Sequence, residues 1–349
     1  MNEDKIGLIV EGGIGDNIMY TPAIRALKKK YPDRKLGVAC VYPQVLHHNP
    51  HIDELFDARN PLGFFEKYCL GNKMAFHPQP YNSRLYAYGR KHFIDVVCEQ
   101  CGVEADNHKL DFFLTEYEKE DAIDFYDKIR KDEQFEIGDK PIVLFQRSAS
   151  FDPVNHRKII RLKDYPMTYC KKLCEVLKDK IHIIQTGFPE EPQIGCPTVF
   201  SHDIRRVAAL FLYADSFITV DSNLGHLSAI YDKKGVVMWG RTNPHAFKYD
   251  HNINIFKENT CPIQPCGRPE GGFFDIMIAD DCNQGPHSPW DCPSNKCMYA
   301  IQPEEVASAI LSVIEEKKKD PDPTNGDGGI IINVDKEKAE NGLEESPTS

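Results

Sequence analysis

The stretch Glu11-Gly12-Gly13-Ile14-Gly15-Asp16-Asn17-Ile18-Met19-Tyr20-Thr21-Pro22-Ala23-Ile24-Arg25-Ala26-Leu27 constrains this chain more than any other. Before it, Ile6 to Val10 is a short apolar run fit for a buried parallel strand. After it, Ile24 and Leu27 share one helical face beside Lys28 to Lys30, and Pro32 stops the helix. The pattern is strand, glycine turn, helix. Gly12, Gly13 and Gly15 let the backbone bend sharply and let a ligand approach. Asp16 falls near the helix start, where unpaired N–H groups favour an ionised carboxylate that can act as a base. The plain alternative is that Asp16 only caps the helix. Thr21-Pro22 also reads as N-cap and N1, which leaves Asp16 either in the loop or on the helix. The turn lacks the third glycine of G-x-G-x-x-G and the Gly-Lys-Ser/Thr ending of a P-loop.

Short apolar runs keep alternating with helical patterns, as at Leu36 to Val41, which is a βαβ rhythm. From Gly71 to Arg90 the text is rich in Tyr, Asn, His and Pro and reads as a long functional loop suited to acceptor contacts. A charged helix over 116–132 leads to a linker at 136–140. A second series then begins with Pro141 to Phe145 and the polar turn Gln146-Arg147-Ser148-Ala149-Ser150. Strands follow at 181–185 and 217–220, with helices at 169–177 and 207–213 between. The last of these strands opens into Asp221-Ser222-Asn223-Leu224-Gly225-His226, ahead of a helix at 227–231 and a strand at 235–240. Ligands bind at the carboxyl ends of strands in such sheets. The expected organisation is an acceptor-side Rossmann-like domain at 1–138, a sugar-nucleotide domain at 139–317 and a disordered tail at 318–349.

The chain of 349 residues, 41% of them hydrophobic, suffices for two cores. A net charge of −11 argues against a nucleic-acid partner. Met1-Asn2-Glu3-Asp4-Lys5 carries an acidic pair where an export signal would be basic, so a cytoplasmic location is expected. There the twelve cysteines would be thiols or metal ligands.

The opening Gly-Gly-Ile-Gly-Asp-Asn-Ile-Met-Tyr-Thr-Pro-Ala-Ile-Arg-Ala-Leu run, the Asp221–His226 segment, Trp239-Gly240-Arg241-Thr242-Asn243-Pro244, and Cys297-Met298 before Ile301-x-Pro303-Glu304-Glu305-Val306 stand in an order that resembles glycosyltransferase family 9, the heptosyltransferase-like enzymes. The resemblance spans roughly residues 5 to 315. It implies an α/β protein of GT-B architecture, two Rossmann-like domains facing across a cleft. It further implies an inverting glycosyltransferase that moves a heptose or related sugar from a nucleotide donor, ADP-heptose first, to a lipopolysaccharide-core or other surface-glycan acceptor. The acceptor's lipid would bring peripheral contact with the inner face of the cytoplasmic membrane.

In the family's Gly-Asp-x-Ile-x-x-Thr-Pro-Ala motif the catalytic Asp falls on Asp16, which would take the acceptor's proton. The family's Asp-Thr-Gly-Leu-x-His loop falls on Asp221, Ser222, Asn223, Leu224, Gly225 and His226, where a helix start suits a diphosphate. A basic residue two positions before an aromatic-Pro pair contacts donor phosphate in the family. Lys163 supplies it here, with Arg161 the competing assignment. Arg147 and Ser148 are further donor-site candidates. One departure concerns the acidic donor-binding residue that family members carry before a Val-Ala helix. This chain has Arg205 and Arg206 there, with Asp203 the nearest acid.

Cys261, Cys266, Cys282, Cys292 and Cys297 have spacings compatible with a structural zinc or iron, although the proposed chemistry requires no cofactor. Cys98/Cys101 and Cys170/Cys174 read as helix-borne thiols. Two rival readings remain: a GT-B-type sugar-nucleotide epimerase or hydrolase, which needs no acceptor, and a non-catalytic sugar-nucleotide-binding protein.

Overall fold

Lys5–Val10 forms strand β1, buried along nearly its whole length, and the glycine turn after it leads directly into helix α1, Ile14–Met19. The computed structural model describes residues 4–71, 74–83, 85, 89–132, 138–149, 151–152, 157–158, 163–260, 264 and 295–319. Helix α2 follows at Thr21–Lys30, then β2 at Lys35–Cys40, α3 at Pro43–Leu46, β3 at Glu54–Asp57 and α4 at Leu62–Phe64. A π-helical turn at Phe65–Cys69 and the two-residue strand β4, Ala75–Phe76, come next. Helices α5, Phe93–Gln100, and α6, Glu116–Lys131, close the first half. The start of α6 is set by a capping box, in which Thr115 accepts from the Glu118 N–H and Glu118 accepts from the Thr115 N–H.

The second half starts with β5, Ile142–Gln146, followed by the short pair β6, Phe151–Asp152, and β7, Arg157–Lys158. It continues with α7 at Met167–Leu177, β8 at His182–Gly187, β9 at Thr198–Phe200, α8 at Ile204–Tyr213 and β10 at Ser216–Val220. Helix α9 at Asn223–Ile230, β11 at Val236–Trp239, β12 at Ile253–Phe256, α10 at Lys296–Tyr299 and α11 at Pro303–Lys319 complete it.

Both main sheets are wholly parallel. The first runs β3-β2-β1-β4 and the second β12-β11-β10-β5-β8-β9. In each, the strand order reverses beside the strand that begins the half, at β1/β4 and at β10/β5. Such reversals leave a crevice at the strands' carboxyl ends, where α/β proteins take their ligands. The turn carrying Asp16 leaves β1, the Arg147–Ser148 turn leaves β5, and Asp221 leaves β10.

Residues 1–314 form one compact unit, and a second begins at Glu315. In the first unit, the larger core draws Ile6, Leu8 and Val10 from the first sheet together with Leu224, Trp239 and Phe247 from the second half. Phe93 and Phe247 meet with ring centroids 5.5 Å apart. Tyr126 of α6 donates to the Leu210 carbonyl of α8 at 2.8 Å. A smaller core under α7 and α11 is built from Phe145, Leu173, Ile218 and Ile310.

The structure revises several sequence expectations. The irregular 71–90 segment contributes β4 to the first sheet, too short a strand to show any period. Helix α9 begins at Asn223, not at Leu227, because Ser222 in extended conformation serves as N-cap. Thr21 is the first residue of α2 and not its cap; its hydroxyl donates to the Ile18 carbonyl at 2.8 Å and accepts from the Asp111 N–H.

Candidate active site

Asp16 stands in the first turn of α1, and both of its carboxylate oxygens are engaged. Oδ2 accepts from the Gly13 N–H at 2.6 Å, and Oδ1 accepts from the Tyr81 hydroxyl at 2.5 Å. The capping role and the placement in a crevice are therefore held by the same side chain. Gly12, at φ +94, has no room for a Cβ beside the Asp16 carboxylate, so glycine is required there twice over. Asn17, fully buried, donates to the Gly13 carbonyl at 2.8 Å and keeps the turn in shape. Burial pushes the Asp16 pKa up. The Tyr81 and Gly13 hydrogen bonds and the Lys163 charge oppose that rise, while the Asp221 charge adds to it.

Those two charges belong to the other half of the molecule. The ammonium of Lys163 lies 2.7 Å from Asp221 Oδ2, and the Thr242 hydroxyl donates to the same oxygen at 2.6 Å. Burial alone would raise the Asp221 pKa, but Lys163, Thr242 and the nearby His226 more than offset it, and the carboxyl stays ionised. His226 packs directly on the glycine turn: a Cβ placed on Gly15 would lie 2.7 Å from its Cδ2. Its Nδ1 is 3.0 Å from the Tyr249 hydroxyl. Burial drops the His226 pKa to about 4, so the ring is neutral near pH 7. The other ring nitrogen, Nε2, faces Gly15, 3.0 Å from where a Cβ on that glycine would lie.

The other predicted donor-side residues divide. No side chain caps α9, so the N–H groups of Asn223 and Leu224 stand in the first turn without a capping side chain, while Gly225 N–H bonds the Ser222 carbonyl at 3.1 Å. The Leu224 side chain is in the core. The Ser222 hydroxyl donates to Gln146 Oε1 at 2.7 Å and contacts Thr219 Oγ1 at 2.6 Å, tying β5 to β10. Arg147 is buried, with Nη1 3.3 Å from the Tyr165 carbonyl and 3.8 Å from Asp164, which also accepts from Ser148 at 3.0 Å. Arg147 and Ser148 thus brace the residue next to Lys163.

Arg205 has a different task from the acid that the family pattern would place near it. It is buried and forks onto Glu118 of α6, with Nη2 at 2.7 Å from Oε2, and also donates to the carbonyls of Gln44 and Phe113. It joins the two halves, and Asp203 caps α8. Arg161, Cys261, Cys266, Cys282 and Cys292 lie outside the described residues. Cys297 packs against Gly240 and the smaller core, and among the described residues no three His, Cys, Asp or Glu side chains gather as a metal would require.

Sequence reasoning did not single out Tyr81 or Tyr249, took Thr242 only as part of the Trp239–Pro244 segment, and passed over the buried Glu191 outside the site. Glu191, buried, folds back on Gly187 at the end of β8 and accepts from the Phe188 N–H at 3.2 Å. Only the Gly187-Phe188-Pro189-Glu190-Glu191 turn after a strand could have signalled it.

Two parallel α/β domains that face each other across a cleft, each with its strand order reversing where ligands are taken at the strands' carboxyl ends, define the GT-B fold. No family model matches the sequence, and no curated protein matches it. Solved structures do. One is a family 9 glycosyl transferase from Veillonella parvula, 16% identical, with a TM-score of 0.63 over 90% of this chain and 100% of that one. A second is the ADP-heptose lipopolysaccharide heptosyltransferase II of E. coli, 13% identical, TM-score 0.59, covering 90% and 100%. A third is the iron-containing dodecameric glycosyltransferase TibC of enterotoxigenic E. coli, 12% identical, TM-score 0.61, covering 90% and 77%. At these identities the likeness is one of fold. No helix among the described residues is long and apolar enough to cross a membrane.

Proposed function

We propose that this protein is an inverting glycosyltransferase of the family 9 type, passing a heptose or related sugar from a nucleotide donor to a hydroxyl of a lipopolysaccharide-core or other surface glycan. The observation that carries the reading is the meeting of Asp16 with the Lys163–Asp221–His226 group, against one glycine turn and from opposite halves of the fold. Asp16 takes the proton from the acceptor hydroxyl as its oxygen attacks the anomeric carbon. The bond from that carbon to the diphosphate breaks on the opposite face. The departing charge is received by the α9 N-terminus, by Lys163 and by the Nε2–H of His226. Asp221, ion-paired with Lys163 and hydrogen-bonded by Thr242, holds the lysine in place. ADP-heptose is the first donor to try, as neighbours in fold include an ADP-heptose heptosyltransferase.

The test is a panel of ADP-, GDP- and UDP-sugars, screened by thermal shift and then by nucleotide release with candidate lipid-linked glycans. The expected result is acceptor-dependent release that Asp16→Asn abolishes without weakening donor binding. Release that needs no acceptor would favour an epimerase or hydrolase. Binding without turnover in the wild type, for every acceptor tried, would favour a sugar-nucleotide-binding protein.

A further inference from the structure

The carboxyl end of the first sheet holds a polar cluster that the reaction above does not use. Glu11 leaves β1 immediately ahead of the glycine turn, and His77 leaves β4, so both stand where the strand order reverses. Gln79 Nε2 lies 3.2 Å from Glu11 Oε2 and 2.8 Å from His77 Nε2, which in turn is 3.2 Å from Glu11 Oε1. The three side chains converge, yet those of Glu11 and His77 stay 53% and 44% exposed. An exposed pairing of this kind adds little to stability, so the fold gains little from building it. Two positions beyond Gln79, Tyr81 donates to Asp16. The cluster and the proposed base are thus served by one short stretch of chain.

We propose, on the transferase reading above, that Glu11, His77 and Gln79 form the acceptor subsite and bind neighbouring hydroxyls of an uncharged sugar whose nucleophilic hydroxyl reaches Asp16. A carboxylate accepts from two hydroxyls, an amide both donates and accepts, and an imidazole can do either. Sugar hydroxyls are themselves donors and acceptors, so they satisfy such a set. A phosphate or carboxylate on the acceptor does not. It would lie beside Glu11 and Asp16, two carboxylates from one turn, where like charges at close range cost affinity. Burial pushes the Tyr20 pKa up, and the charges of Asp16 and Glu11 both add to the rise, so the two carboxylates lie within reach of one hydroxyl.

The backbone beneath the cluster is pinned on both sides. The buried Tyr20 hydroxyl donates to the Pro78 carbonyl at 3.2 Å. Gln79 N–H donates to Gln100 Oε1 at 2.6 Å, and the Gln100 amide returns to the Gln79 carbonyl at 3.3 Å, which ties the segment to the last residue of α5. A 3-10 turn at Pro80–Asn82 then carries the chain to Asp16 through Tyr81. Side chains on a backbone held this way have less freedom left to lose when a ligand arrives, and an exposed polar set so held is preorganised for recognition.

The experiment is saturation-transfer difference NMR on the full chain, with methyl glucoside, methyl galactoside and methyl mannoside as probes, each beside its uronic-acid counterpart. At least one neutral glycoside should bind, with its uronide weaker by about fivefold. Glu11→Gln, His77→Ala and Gln79→Ala should each weaken the neutral glycoside by about threefold, and Glu11→Gln should also narrow its preference over the uronide. All three variants should melt within about 2 °C of the wild type, since the cluster is exposed. Binding of no glycoside, a uronide that binds as well as its neutral partner, or wild-type affinity in both Glu11→Gln and Gln79→Ala would overturn the proposal. Glycoside binding that depends on these residues, in a chain that releases nucleotide from no donor, would instead sink the transferase reading and leave a sugar site. Transfer that Asp16→Asn abolishes, to an acceptor whose affinity the three variants leave unchanged, would do the reverse.

Discussion

Gly15 and His226 touch across the boundary between the two halves: a methyl carbon on Gly15 would sit 2.7 Å from the ring Cδ2 and 3.0 Å from Nε2. Real Cβ atoms do not tolerate the first distance, and the ring is held from behind by Tyr249 at 3.0 Å. Gly15→Ala must therefore push His226 out of place or break the turn. The expected result is at least a tenfold loss of nucleotide release with a melting temperature lowered by only a few degrees. Wild-type turnover in this variant, measured with the donor that binds, would refute the contact's importance.

Tyr81 lends its hydroxyl to the carboxylate proposed as base. Because that hydrogen bond lowers the Asp16 pKa against the upward push of burial, Tyr81→Phe should raise it further. The acid limb of the rate profile would move to higher pH. An acceptor hydroxyl must also take the place that Tyr81 now occupies at Oδ1, so KM for the acceptor should fall or stay level while kcat near the limb declines. A profile superimposable on the wild type would dismiss this pairing.

Asp16 itself carries a stability cost. A carboxyl whose folded pKa lies above its unfolded value disfavours the charged form in the folded state, so at neutral pH its ionisation weakens the fold. Asp16→Asn can keep both contacts, since the amide oxygen accepts from Gly13 and the Tyr81 hydroxyl can turn to accept. It should melt higher than the wild type by about 1–3 °C while losing turnover. Calorimetry that finds it less stable would contradict the sign.

Two buried histidines make the fold sensitive to mild acid. Burial drops His226 to about 4 and His92 to about 3, both from an ordinary 6.5. Below pH 6.5 the unfolded chain takes up protons that the folded one refuses, so stability is full above that value and falls as pH drops toward 4. Urea titrations between pH 7 and pH 4, roughly that window, should show a falling unfolding free energy, with a shallower decline in His92→Gln. Parallel slopes in the two proteins would exclude His92 from the effect.

Arg205 is buried and shared among Glu118, Gln44 and Phe113. Arg205→Met leaves the Glu118 carboxylate facing those carbonyls without its partner and should cost about 3 kcal/mol of stability. Arg205→Lys should recover little, since an ammonium cannot reproduce the fork. Full stability in either variant, by denaturant titration, would show that the two halves do not depend on this tie.

What could be read from sequence was local. The strand, glycine turn and helix at 6–27 announce themselves because an apolar run, three glycines and a helical face lie within one short window. The same holds for Asp221, at the mouth of a buried strand. Tyr81 could not be found this way, for it reaches Asp16 from 65 positions along the chain. Asn223 and Gly225 look like loop residues, and only the packed environment of β10 makes them a helix's first turn. Arg205 stood out only as a departure from the family's acidic position, and nothing local could show that Glu118, 87 positions away, draws it inside.

The larger core runs without interruption from the first sheet into the second half, with Phe93 on Phe247, Tyr126 on Leu210 and the Arg205 fork along one seam. Parting the halves would wet all of it together. Swinging the halves apart would therefore break the Phe93–Phe247 contact, the Tyr126 hydrogen bond and the Arg205 fork in a single step.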